Sequence, residues 1–265
     1  MTANFDLSKE QYRDSSRLSA RAQIYRYSTN PQPWFNWVAD NIKIDLGSRV
    51  LELGCGTGAL WKHLLGTLPE DADVVLSDLS PGMLQEARQD LSSDDPRFSY
   101  RIIDAMDIPY EAGTFQVVIA NHMLYHVPDL DVALSEFCRV LQPGGVLYAT
   151  TVGNRHLADI KEWLQEFDSR LVIDSLLLSP FTLENCQDSL LRHFEDVEVR
   201  LFPNELKVPS LESLLDYALS MLSQKQLAEI AAKLDSLASF LETKRSDDGH
   251  FLLPTATGMA IAKSR

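Results

Sequence analysis

The run Val50-Leu51-Glu52-Leu53-Gly54-Cys55-Gly56-Thr57-Gly58 carries the clearest chemical signal in the chain. A short apolar strand ends in glycines at alternate positions, and helix-forming residues from Ala59 to Leu65 follow at once. Glycines at a strand end permit a tight turn and leave no Cβ between the backbone and a ligand. The unpaired N–H groups at the start of the next helix would face that ligand. The segment therefore reads as a cofactor cradle. Asp78 and Asp104 each follow an apolar run, where an acid has no packing purpose. Either could accept hydrogen bonds from a ligand or cap a turn. A further group lies in Asn121-His122-Met123-Leu124-Tyr125-His126-Val127-Pro128. His122, Tyr125 and His126 are the best candidates for a proton acceptor or for a clamp on a second substrate.

The glycine turn is ambiguous by itself. Gly54, Gly56 and Ala59 also satisfy the dinucleotide fingerprint, whose last glycine can be alanine. Asp78 stands about where that fingerprint places its ribose-binding acid. A phosphate-loop reading is weaker, since no Lys-Ser or Lys-Thr follows the glycines.

The elements that must position these groups follow from apolar patterning. Val50–Leu53, Val74–Leu76, Tyr100–Ile103, Phe115–Ala120 and Val146–Thr151 are short, mostly continuous apolar runs, as in buried parallel strands. Between them lie capped helices. Ser80 caps one with Pro81 at its first position, running to about Leu91. Asp129 or Asp131 opens another that ends at Leu141, with Pro143, Gly144 and Gly145 as the stop. This alternation means a parallel sheet with right-handed crossovers. After Thr151 helices are expected at Leu157–Arg170, Leu183–Phe194, Leu211–Leu222 and Lys225–Thr243. Strands are expected at Val197–Phe202, Phe251–Leu253 and Met259–Ala262. Residues 1–45 read as a polar, aromatic-rich helical flap over the mouth of the sheet. Residues 46–265 read as the main domain, with a helical cap inserted at about 203–249.

Composition narrows the function. The chain has 265 residues, 45% of them hydrophobic, enough for one large α/β core. Its formal net charge of −14 opposes nucleic acid as a partner. No apolar run is long enough to span a membrane, and the first residues lack the apolar core of a signal peptide. Cys55, Cys138 and Cys186 are odd in number and far apart, so neither a disulfide framework nor a zinc site is expected. A reducing cytoplasm fits this usage.

Four segments occur in order at domain-like spacing: Glu52-Leu53-Gly54-Cys55-Gly56-Thr57-Gly58, Ser77-Asp78-Leu79-Ser80-Pro81-Gly82-Met83-Leu84, Asp104-Ala105 with Ile108-Pro109, and Leu141-Gln142-Pro143-Gly144-Gly145. Together they resemble the class I S-adenosylmethionine-dependent methyltransferases, and within them the small-molecule and quinone-type enzymes. The resemblance is strong over Leu46 to Thr151. Beyond that range, Gly258–Lys263 resembles the antiparallel last strand of such folds. It implies a doubly wound, mostly parallel seven-stranded α/β sheet of Rossmann-like type.

The resemblance also implies roles. Gly54, Gly56 and Gly58 would approach the methionyl and ribose parts of S-adenosylmethionine, with Glu52 and Cys55 in the same turn. Asp78 would accept from the ribose hydroxyls. Leu79 or Met83 would pack on the adenine, and Asp104, beside Ala105, would accept from its amino group. Asn121 would approach the methionyl end, and Tyr12 with Arg17 and Arg21 of the flap could close on its carboxylate. Methyl transfer to a small-molecule acceptor would leave S-adenosylhomocysteine. Positioning carries most of such a reaction, and His122, Tyr125 or His126 would serve where the acceptor must lose a proton. His126 could equally brace its loop. No metal is expected. The alternatives are a nicotinamide-dependent oxidoreductase using the same turn, and a module that binds the cofactor without turnover.

Overall fold

The protein is described by a computed structural model covering residues 22–91, 95–171 and 179–265. The apolar runs form its central sheet. Strands β1 (Arg49–Leu53), β2 (Asp73–Ser77), β3 (Phe98–Arg101), β4 (Phe115–Asn121) and β5 (Leu141–Val152) pair in parallel. Strand β6 (Asp196–Phe202) completes the far edge. A separate ribbon pairs β7 (Glu205–Val208) with β8 (Phe251–Pro254). The last strand, β9 (Thr257–Lys263), runs antiparallel between β5 and β6, giving the order β3-β2-β1-β4-β5-β9-β6. The two C-terminal strands expected from the sequence thus form, but in different sheets. β7 falls within the stretch read as a helical cap.

Helices cover both faces of the sheet and build a separate layer with the ribbon. They are α1 (Trp34–Asn41), α2 (Trp61–Leu64), α3 (Pro81–Asp90), α4 (Leu130–Val140), α5 (Ala158–Phe167), α6 (Cys186–Leu191), α7 (Leu211–Ser220), α8 (Gln224–Ile230) and α9 (Leu234–Glu242). The helix expected over Lys225–Thr243 is divided between α8 and α9 by a 3₁₀ turn at Ala231–Lys233. Ser80 caps α3 by accepting from the Met83 amide, and Asp129 caps α4 by accepting from that of Val132. α4 buries Leu130, Ala133, Leu134, Phe137 and Val140, a single stripe at helical spacing. Its end is not made by Pro143-Gly144-Gly145. The β4–β5 register passes from Phe115↔Leu141 to Val117↔Val146, so those residues bulge out of a strand that has already begun.

Three apolar cores result. One lies between the sheet and α4 with α6. A second lies on the opposite face and holds Trp61, Leu64, Leu84 and Leu91. The third stands apart from the sheet: α5, α7, α9 and the β7–β8 ribbon enclose Leu157, Ile160, Leu214, Leu237, Phe251 and Leu253. Ile24 is buried in that third core, and Ser28 bridges to Leu206 of β7. No helix among the described residues is long and apolar enough to cross a membrane.

Candidate active site

The three turn glycines all adopt left-handed backbone angles, φ being 68° at Gly54, 56° at Gly56 and 71° at Gly58. Their surroundings differ. A Cβ on Gly54 would stand 2.7 Å from Cβ of Met123, and one on Gly58 would stand 2.7 Å from Cδ1 of Leu91. A Cβ on Gly56 would meet no atom of the described residues within 4 Å. The outer glycines admit the chain's own side chains, while the middle one faces open space. The sequence suggested a helix starting directly after Gly58, but α2 has only four residues. The cradle is therefore the turn itself.

Asp78 ties the turn to the end of β2. Its Oδ2 accepts from the Gly56 amide at 3.0 Å and its Oδ1 from the Ser80 amide at 2.8 Å. Each oxygen keeps lone-pair capacity for another donor. Burial raises the Asp78 carboxyl above its ordinary range, and these amides oppose the shift. Glu52 lies beneath the turn, 1% exposed, with a carboxyl oxygen accepting from the indole N–H of Trp61. Burial pushes its pKa up to about 8; the Trp61 bond opposes this and the Asp78 charge adds to it. Cys55 is buried too, and burial raises its thiol well above the usual range, as for an inert structural thiol.

Leu79 is 52% exposed at the start of this wall, whereas Met83 on α3 is buried. Asp104 Oδ1 accepts from the Met106 amide at 2.9 Å, beside the buried Ala105.

At the end of β4 a polar relay fixes the next corner. The hydroxyl of Thr150 on β5 donates to Asn121 Oδ1 and accepts from the His122 amide at 3.0 Å. His122 has φ 54°, a costly conformation for a residue with a Cβ. Its ring lies 5.2 Å from that of Trp34 and 6.3 Å from that of Tyr125, which meets the His126 ring edge-on at 4.5 Å. The structure thus brings His122, Tyr125 and His126 together beside the glycine turn. Burial, with the His126 charge second, pushes the His122 pKa down to about 4. His122 is therefore neutral at pH 7 and has a nitrogen able to accept a proton.

Sequence reasoning missed His156. It follows β5 as His122 follows β4, so applying the same strand-end argument to Val146–Thr151 would have found it. Its Nε2 is 2.8 Å from the Tyr25 hydroxyl, and its Nδ1 is 3.3 Å from both the Ala256 amide and the Thr257 hydroxyl. An amide can only donate, so Nδ1 accepts, and Nε2 carries the proton that goes to Tyr25. Burial, then His122, then Lys161 push the His156 pKa down to about 3. The neighbouring Leu157 is left-handed at φ 50°, the only non-glycine besides His122 with a positive φ among the described residues. Tyr12, Arg17 and Arg21 lie outside the described residues. Among the described residues no three His, Cys, Asp or Glu side chains are grouped to hold a metal ion.

Residues 50–145 match a family model described as a methyltransferase domain. Over 143 residues the chain is 33% identical to malonyl-(acyl-carrier protein) O-methyltransferase of Yersinia pestis, covering 53% of this chain and 50% of that protein. Over 117 residues it is 37% identical to the mitochondrial ubiquinone biosynthesis O-methyltransferase of Homo sapiens, covering 43% and 31%. The chain therefore spans half or less of the length of these curated relatives. A solved structure, Haemonchus contortus phosphoethanolamine N-methyltransferase 2 in complex with S-adenosyl-L-methionine, superposes with a TM-score of 0.60 at 20% identity. The superposition covers 99% of this chain and 60% of that one, and at this identity the likeness is one of fold.

Proposed function

We propose that this chain, which belongs to the class I S-adenosylmethionine-dependent methyltransferases, transfers a methyl group to a small-molecule acceptor. One observation carries the reading: Gly56 turns an open face outward while its amide is held by Asp78, whose oxygens retain acceptor capacity. Such a surface fits a ribose with two hydroxyls. Gly54, Gly56 and Gly58 would line the cofactor, Asp78 would take the ribose, Leu79 or Met83 the adenine face, with Leu79 the more exposed of the two, and Asp104 with Ala105 the adenine edge. Asn121 would stand at the methionyl end. Glu52, Cys55 and Trp61 support the turn from below. When bound, S-adenosylmethionine supplies an electrophilic methyl open to in-line displacement.

The chain's own part is orientation and exclusion of water. The Thr150 relay fixes the corner at Asn121 and His122. Neutral His122 has a nitrogen free to take a proton from a hydroxyl or amine acceptor, as a weak base because burial lowers its pKa to about 4, with Tyr125 and His126 beside it. The net charge of −14 disfavours a nucleic acid acceptor. Three scattered free cysteines suit a reducing cytoplasm. The match over residues 50–145 favours this reading over a nicotinamide-dependent oxidoreductase.

The test is transfer of labelled methyl from S-adenosylmethionine across a panel of hydroxy, amino, thiol and carboxylic acceptors. Label in a small product supports the reading. Binding of S-adenosylhomocysteine with no transfer to any class would favour the module without turnover.

A further inference from the structure

Trp34 opens α1 and stacks on Trp37 at 5.4 Å, with Phe202 edge-on at 5.3 Å and the His122 ring at 5.2 Å. Its indole nitrogen is buried and has no hydrogen-bond partner among the described residues. A buried donor left unpaired is costly, and native interiors rarely keep one without a purpose. The position of this donor suggests its purpose. Strands β2, β1 and β4 lie side by side, at spacings of about 4.8 Å. Asp78 follows β2, the glycine turn follows β1, and Asn121 ends β4 with His122 next. A cofactor with its ribose against Asp78 and its middle over the turn sends its amino-acid arm toward the end of β4. Met123 abuts Gly54 there, and the Trp34 ring meets the His122 ring at a tilt. That arm ends in a carboxylate, and a desolvated N–H bonds most strongly to an ionised oxygen.

We infer that Trp34 donates its indole N–H to the carboxylate of the cofactor's methionyl arm. The inference rests on the ribose placement at Asp78. It makes Trp34 a binding residue and couples the seating of α1 to cofactor occupancy. The competing account is an N–H directed at the face of Phe202, with no part in binding.

The probes are S-adenosylhomocysteine and 5′-methylthioadenosine, which shares the nucleoside and sulfur but lacks the amino-acid arm. Both are titrated calorimetrically into the wild-type protein and Trp34→Phe. The expected result is about a tenfold or larger weakening for S-adenosylhomocysteine and no change for 5′-methylthioadenosine. Equal weakening of both would assign Trp34 to packing alone, and unchanged binding of both would favour Phe202 as its partner. Either overturns the inference. If wild-type protein binds neither probe, the cofactor reading fails and the inference falls with it. Should the variant not fold, the indole N–H resonance of Trp34 in the wild type decides. It should move downfield with S-adenosylhomocysteine and stay with 5′-methylthioadenosine; no movement with the former overturns the inference.

Discussion

Replacing each turn glycine by alanine separates what holds the fold from what holds the cofactor. All three positions have positive φ, so each alanine costs about 1 kcal/mol in backbone strain. At Gly56 the added Cβ meets no atom of the described residues within 4 Å, so strain is the whole expected cost to stability. At Gly58 the Cβ would stand 2.7 Å from Cδ1 of Leu91 and 3.4 Å from Cβ of Ala87, and Leu91 is itself fully buried. Overpacking of this kind adds about 1–3 kcal/mol. The total for Gly58→Ala is then about 2–4 kcal/mol. Urea unfolding at constant m-value reads these losses, and calorimetry with S-adenosylhomocysteine reads binding. Gly56→Ala should keep most of its stability and lose binding by about a hundredfold or more, since its methyl group enters the space the ligand needs. Gly58→Ala should show the opposite order, with a large stability loss and a smaller effect on binding by the folded fraction. A Gly56→Ala protein that binds like the wild type would refute the claim that this face receives the cofactor.

The buried Glu52 gives a pH signature. Its folded pKa of about 8 lies above its ordinary value of 4.5, so its contribution to stability is present below about pH 4.5 and is lost as pH rises through 8. Glu52→Gln, which keeps an acceptor for Trp61, should remove that loss and gain up to about 5 kcal/mol relative to wild type above pH 8. Parallel pH profiles of the two proteins in urea melts would dispose of the idea. For the acceptor side, His122→Ala is expected to reduce turnover by about a hundredfold or more with little change in S-adenosylhomocysteine affinity. His126→Asn should keep activity if His126 braces its loop. Near-normal turnover in His122→Ala, His126→Ala and His126→Asn would rule out an essential histidine base.

Much of the frame was legible because parallel strands buried on both faces read as apolar runs. Val50–Leu53, Val74–Leu76 and Phe115–Ala120 lie within β1, β2 and β4. β3 was displaced by two residues: Ile103 leaves the ladder for the core while Phe98 begins it. β7 was missed because its alternation of Glu205, Leu206, Lys207 and Val208 is only four residues long between helical stretches. In the site, glycine spacing located the cradle but could not show that Gly56 alone faces open space. That difference depends on Met123 and Leu91, which reach the turn from distant parts of the sequence. Thr150 was hidden inside an apolar run, and its relay to Asn121 and His122 exists only once β4 and β5 pair. The contact of Trp34 with His122 likewise depends on α1 crossing to the carboxyl edge of the sheet.

On the proposed reading the Gly54–Gly58 turn and Asp78 form the seat of S-adenosylmethionine. The most direct measurement is calorimetric titration of wild-type protein and Asp78→Ala with S-adenosylhomocysteine and, separately, with NADH. One S-adenosylhomocysteine should bind per chain and NADH should not bind. The folded variant should lose ten- to hundredfold in affinity, from removal of charged hydrogen bonds of about 1.5–3 kcal/mol. NADH binding without S-adenosylhomocysteine binding, or unaltered S-adenosylhomocysteine affinity in Asp78→Ala, would contradict that reading.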